Sequence, residues 1–223
     1  MEIKPIAFYH GPLSEKFGTP RQAGIVPDLP GTVEFCEGYE PAMLDGLEGF
    51  DYIWLIWGFS LNRPSDAAGD GPFEGVASKV RPPRLGGNEK MGVFATRSPY
   101  RPNPLGLSSV RIASIDAASG QIKVLGADLV DGTPIFDIKP YIVYADSHPE
   151  ARSGFAKERP EARLKVVFAC HEDATDKTLR QILAQDPRPA YQDDPTRIYG
   201  LSYNGKNIRF RVEEDVLTVI SID

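Results

Sequence analysis

The sequence predicts a β-rich body, a barrel or a sandwich, followed by a smaller α+β unit. Three observations carry that reading. The 223-residue chain contains 21 glycines and 20 prolines, and they punctuate apolar runs along its length. Those runs are short and filled with β-branched and aromatic residues, the composition of strands rather than helices. One segment alone, in the last third, repeats its apolar residues at good helical spacing. Short strands joined by tight turns favour closed or two-layered β architectures.

Taken in order, Ile3–Tyr9, Thr32–Cys36, Tyr52–Phe59, Gly92–Thr96, Leu107–Ile115 and Gln121–Leu125 read as strands of the body. "DYIWLIWGFSL" is almost continuously apolar, as a strand covered on both faces would be. "EPAMLDGLEGF" has room for a single helical turn. After Tyr144 the polar, proline-broken stretch "ADSHPEARSGFAKERPEA" reads as a linker or long loop. A strand, "RLKVVFAC", comes next, then the helix "EDATDKTLRQILAQD". In that helix Leu179, Ile182 and Leu183 share one face, and Asp186-Pro187 ends it. "LSYNGKNIRFRVEEDVLTVISI" reads as strands around a type I′ turn at Asn204-Gly205. Ile208, Phe210 and Val212 alternate with Arg209 and Arg211, which puts one face in a core and leaves the other basic. The expected division is 1–145 body, 146–160 linker and 161–223 tail.

Length and composition allow one large domain, or one with a small appendage. No apolar run reaches the ~18–20 residues of a membrane span, and Met1-Glu2-Ile3-Lys4-Pro5 does not open a signal peptide. Cys36 and Cys170 have no CxxC partner and read as buried free thiols. A soluble, cytoplasmic protein is expected. Net charge is −6, which at first speaks against nucleic acid. The distribution speaks differently: ten acidic residues lie between Asp28 and Glu74 against Arg63 alone. From Lys79 to Arg111 the sign reverses, with Lys79, Arg81, Arg84, Lys90, Arg97, Arg101 and Arg111 facing only Glu89. That stretch is either a local basic surface or a solvated loop face.

Several chemistries are poorly supported. No GxGxxG follows a strand and no P-loop motif is present. His10, His148 and His171 are scattered, without zinc spacing. Ser98 and Ser108 have neither a nucleophile elbow nor a neighbouring histidine. What remains is a set of stiff polar segments read as loops: "GTPRQAG" (18–24), "VRPPRLGGN" (80–88), "TRSPYRPNPLG" (96–106) and "GADLVDGTPIFDIKPY" (126–141). Proline fixes φ and glycine lets a backbone approach a ligand closely. Arg21, Arg97 and Arg101 are planar fork donors suited to carboxylate, phosphate or a base face. Asp128, Asp131, Asp137 and Lys139 add charge, although each aspartate also suits a turn.

"PRQAG", "RPPRLGGNEKMGVFATRSPYRPNPLGLSSV", "DLVDGTPIFDIKPY" and "AQDPRPAY", in that order over most of the chain, resemble the TrmO (TsaA-like, YaeB) family of tRNA methyltransferases. The resemblance implies a TsaA-like β-barrel with a small C-terminal α+β domain, binding S-adenosylmethionine without a Rossmann sheet. It implies methylation of N6 of threonylcarbamoyladenosine at position 37, in the anticodon stem-loop of tRNA. It further implies a homodimer with the cofactor near the subunit interface, and neither metal nor membrane. Carried over by motif, Pro20, Arg21, Gln22, Arg97, Leu107, Gly126, Ala127, Asp128 and Leu129 would bind cofactor. Some relatives have His-Gln after the "WLIWGF" strand where this chain has Ser60-Leu61, so a contact there would run through backbone. For a general base the resemblance leaves Asp128, Asp131, Asp137 and Tyr141 open. Arg97, Arg101 and Asn103 would complete the catalytic set, Arg101 and Asn103 holding the threonyl carboxylate or the base. Arg188, Arg209 and Arg211 would extend an RNA track into the tail. The alternative is a non-catalytic RNA-binding barrel that keeps the arginine loops.

Overall fold

The computed structural model describes residues 2–62, 73, 75–82, 89–169, 176–189, 192 and 194–223. Arg63, Arg84 with the "RLGGN" segment, Cys170 and His171 lie outside the described residues. Six strands close into a barrel: β1 (Ala7–His10), β2 (Pro30–Phe35), β3 (Tyr52–Gly58), β6 (Leu105–Asp116), β7 (Gln121–Leu125) and β8 (Thr133–Pro140), in the cyclic order β1-β2-β7-β6-β3-β8. All pairings are antiparallel. Closure removes the exposed edges an open sheet would present. A two-stranded ribbon of β4 (Lys79–Val80) and β5 (Met91–Gly92) stands beside it.

The sequence pattern explains most of this and misleads in five places. Ile53, Leu55 and Trp57 on β3 point inward and are buried, while Tyr52 is exposed and Trp54 and Ile56 are half-covered. The strand therefore alternates, and its outer face owes its apolar character to partial cover by neighbours such as Tyr141. The expected strand Gly92–Thr96 pairs only at Gly92 and continues as a 3-10 turn over Val93–Ala95. The segment 126–141, read as a loop, contains β8, the strand that closes the barrel. Pro134 and Pro140 mask it, since proline lacks a ladder donor. Each sits where β8 pairs on one side only: Pro134 beside Phe8 of β1 and Pro140 beside Ile53 of β3. Two 3-10 turns, Pro41–Leu44 and Leu47–Gly49, stand where one helical turn was expected. Cys36 is a free thiol, half-exposed rather than buried.

The C-terminal sheet has the order β10-β11-β12-β9, from β9 (Lys165–Phe168), β10 (Tyr199–Tyr203), β11 (Lys206–Glu213) and β12 (Val216–Ile222). Asn204 and Gly205 both have positive φ (51° and 73°), as a type I′ hairpin requires. Ile208, Phe210 and Val212 are buried and Arg209 and Arg211 exposed, as the alternation predicts. A short helix, α1 (Val143–Asp146), follows the barrel; the helix of the C-terminal unit, α2 (Lys177–Ala184), is capped by Asp176 accepting the Leu179 N–H, and it buries Leu179, Ile182 and Leu183.

The two units are joined by an excursion of the chain between β1 and β2. Leu13, Val26 and Leu29, each at most 1% exposed, belong to the core of the C-terminal sheet rather than to the barrel interior. The excursion is fixed by Asn204 N–H donating to Pro12 O, Arg159 donating to Gly24 O at 2.7 Å, and a Lys177–Asp28 ion pair. Gly126 completes the joint. Its φ of 81° is in the left-handed region, and its carbonyl accepts the Gly24 N–H at 2.8 Å.

Candidate active site

A cleft of about 2030 Å³ opens between the barrel mouth and the C-terminal unit. That exceeds the roughly 300–1,000 Å³ of a single small-molecule site, so it has room for a cofactor and a nucleotide together. Its lining is basic in an acidic chain. Lys16, Arg21, Lys79, Arg81, Arg97 and Arg101 come from the barrel side, Arg163 and Arg188 from the tail, against Asp128, Glu161 and Asp186.

Three segments meet at its floor. Arg97, from the proline-rich 96–106 loop, donates through Nη1 to Gln22 Oε1 of the excursion. Arg101, on the same loop, donates to Thr96 O at 3.3 Å, which folds the loop on itself. Asp128 follows the turn after β7, and its Oδ1 accepts the Ser108 hydroxyl at 2.6 Å. Burial raises the Asp128 pKa above its ordinary value, opposed by the Ser108 bond, by backbone N–H groups and by the positive charge of Arg97. Arg21 is shifted the other way, downward, first by desolvation and then by the like charge of Arg163. A partly desolvated guanidinium with a second one beside it suits an anion. Tyr9 is fully buried, and its pKa is pushed up by burial and by Asp128 and Asp131, so it stays a neutral phenol.

The expected site residues divide. Pro20, Arg21, Gln22, Ser60, Leu61, Arg97, Arg101, Asn103, Leu107 and Asp128 all line the cleft. Gly126, Ala127 and Leu129 do not: Ala127 and Leu129 are barrel core, and Gly126 supports the excursion through its backbone. Asp131 bonds His10 Nδ1 and the Gly11 N–H, both at 3.2 Å. Asp137 lies in β8, paired with Lys139 at 3.2 Å. Tyr141 packs behind Trp54 with ring centroids 5.7 Å apart. None of these three lines the cleft. Arg188 does, but it is 9% exposed and forks onto Asp186 at 2.8 and 3.0 Å. Arg209 and Arg211 are exposed outside the cleft lining. Sequence reasoning missed Ser108 and Trp57. The available signal was a serine at an inward position of β6, between the inward Gly106 and Val110.

Two family models cover the chain: the tRNA-methyltransferase O N-terminal domain matches residues 8–147 and the TrmO C-terminal domain residues 157–223. The chain belongs to the tRNA-methyltransferase O family. It is 35% identical to the tRNA (adenine(37)-N6)-methyltransferase of Escherichia coli K12, over 100% of this chain and 97% of that one. It is 40% identical, over 89% of this chain and 87% of the relative, to a Pseudomonas aeruginosa protein whose name carries S-adenosylmethionine-dependent methyl transfer. The crystal structure of TrmO from Pseudomonas aeruginosa superposes with a TM-score of 0.77 at 28% identity, covering 100% of this chain and 98% of that chain. Among the described residues no helix is long and apolar enough to cross a membrane, and no group of side chains is arranged to hold a metal.

Proposed function

We propose that this member of the tRNA-methyltransferase O family methylates N6 of threonylcarbamoyladenosine at position 37 of tRNA, using S-adenosylmethionine. The observation that carries the reading is the cleft floor. There the Arg97–Gln22 pair and a hydrogen-bonded, buried Asp128 meet inside a basic lining. The donor set fits the cofactor. Arg97 and Arg21 suit its carboxylate, Leu61 and Leu107 offer apolar surface, and the Pro20–Gln22 and Ser60–Leu61 segments bring backbone groups to the same wall. When bound, S-adenosylmethionine supplies a methyl group already activated on a sulfonium.

The chain's part is then alignment and proton management. The acceptor nitrogen carries a carbamoyl group, so its lone pair is delocalised and its N–H more acidic than in adenosine. Asp128 is the base: it alone among the four candidates lines the cleft, and its raised proton affinity brings it nearer to working pH. Asp131, Asp137 and Tyr141 hold the surrounding structure. Arg101 and Asn103 receive the threonyl carboxylate. The basic lining, with Tyr100 61% exposed among it, follows the phosphates and bases of the anticodon loop. This reading places the enzyme in the cytoplasm with its tRNA.

Phe94, Leu61 and Leu107 stay exposed at the cleft, an apolar rim that a second copy would cover, so the working form is a homodimer. Light scattering at a single-chain mass would remove the dimer. The activity is tested with tRNA bearing the threonylcarbamoyl group, labelled cofactor and nucleoside mass spectrometry. One added methyl on that nucleoside is expected. Cofactor binding and salt-sensitive tRNA binding without that product would leave only the non-catalytic reading.

A further inference from the structure

A polar path crosses a largely apolar barrel interior. It begins at Trp57, 6% exposed, whose indole lies against Gly106, its cross-strand partner. A Cβ at residue 106 would fall 2.2 to 2.6 Å from the ring, so only glycine admits the indole there. From that position Trp57 Nε1 donates to Ser108 Oγ at 2.9 Å, and Ser108, 2% exposed, donates to Asp128 Oδ1 at 2.6 Å. Gly106 and Ser108 share the inward face because they are two residues apart on one strand. The indole N–H can only donate, so the serine oxygen must accept from it. The single hydroxyl proton is then the one donated to the carboxylate. Trp57 sets the direction of the path, and Gly106 sets the place of Trp57.

We infer that Trp57 and Ser108 are positioning residues of the transfer site, orienting the Asp128 carboxyl and committing a hydrogen bond to its charged form. The inference rests on the reading of Asp128 as the base. In that step Asp128 takes the N6 proton while the nitrogen's electron pair forms the bond to the methyl carbon; the carbon–sulfur pair leaves with the sulfur. Other groups act on the same carboxyl. Arg97 acts on it by charge from the proline-rich loop and the Ala23 N–H by a hydrogen bond from the excursion, while the buried Tyr9 of β1 feels the charge of both Asp128 and Asp131. Ser108 ranks first among those favouring the charged form, and its loss moves the proton affinity of Asp128 upward.

Trp57 is its own reporter. The chain has two tryptophans, so Trp54→Phe isolates its fluorescence. In that background, without cofactor or RNA, a pH titration is expected to show a transition above the ordinary carboxylate range. Asp128→Asn abolishes it, and Ser108→Ala moves it to higher pH. With tRNA and cofactor, Ser108→Ala lowers kcat/KM by about 10–100-fold near pH 6 and by only about 2–5-fold near pH 8.5. Its cofactor affinity is unchanged, and Ser108→Thr restores the profile. Trp57→Phe moves the acid limb the same way by less. A merely structural serine would lower activity evenly across pH. A fluorescence midpoint unmoved by Ser108→Ala overturns the inference. A midpoint that moves while the kinetic limb stays fixed keeps the path and removes Asp128 as the base, so the two failures are distinguishable.

Discussion

The barrel and the C-terminal sheet are built to different ends. The barrel carries polar groups through its interior, with Ser108 and Thr133 both 2% exposed and a carboxyl at the end of the path. The core of the C-terminal sheet is assembled from aliphatic and aromatic side chains, and it reaches across to take Leu13, Val26 and Leu29 from the barrel's own connection. Burying a charge-bearing group costs stability, and burying leucine supplies it. One unit carries the proposed chemistry at some expense to its own stability. The other acts as an anchor, and it anchors the segment that presents Arg21 and Gln22. The tail, expected from sequence to serve RNA, is by its contacts the support of the proposed cofactor loop.

That contrast can be broken most directly by ending the chain at residue 160. Each of Leu13, Val26 and Leu29 would lose about 1.5–3 kcal/mol of burial, together a large part of a domain's ordinary stability. Cofactor binding by calorimetry should vanish along with tRNA binding. Full cofactor affinity in the shortened chain would show that the barrel holds its loop unaided.

Next in size is Asp128→Asn, expected to lower kcat by about 10²–10⁴-fold with cofactor affinity kept. It should also raise Tm at neutral pH. The folded-state pKa of Asp128 lies above its ordinary 3.8, so between the two values the folded chain holds more protons than the unfolded one. Stability from this group is full below the ordinary value and is lost as pH rises through the folded one. The Asn variant escapes that loss, and its advantage should disappear on acidification. An advantage independent of pH would mean that the gain has another source.

Arg97→Ala sharpens the comparison from the loop side. Its described bond is to Gln22, and the side chain is exposed, so Tm should move by only about 2 °C. Activity should fall about 10²-fold, with the acid limb displaced upward because a positive neighbour of Asp128 is gone. A drop beyond about 10 °C would make it a structural arginine. Smallest of all is Lys177→Ala. It opens an ion pair between tail and excursion whose lysine side chain is 75% exposed, and it should change Tm by about 1 °C. A much larger change would mean that surface charge, not the shared apolar core, joins the units.

Local periodicity was legible in the sequence without any partner. The buried face of α2, the alternation of β11 and the Asn204-Gly205 turn each follow from residue spacing alone, whereas the nearly continuous apolar run of β3 hid which of its residues face inward. The motif run that gives the family could be read in the same way, as could the residue types that line the cleft. Only the tertiary structure decided which of those residues meet. It brought Gln22 to Arg97 and Ser108 to Asp128, and it left Asp131, Asp137 and Tyr141 outside. It also turned a proline-bearing segment into the closing strand, because strands on either side supply pairing where its prolines do not interrupt it. The physical reason is range. Alternation and capping are properties of a few consecutive residues, whereas a site built from residues 22, 97, 108 and 128 exists only once the barrel has closed and the excursion between β1 and β2 has docked on the tail.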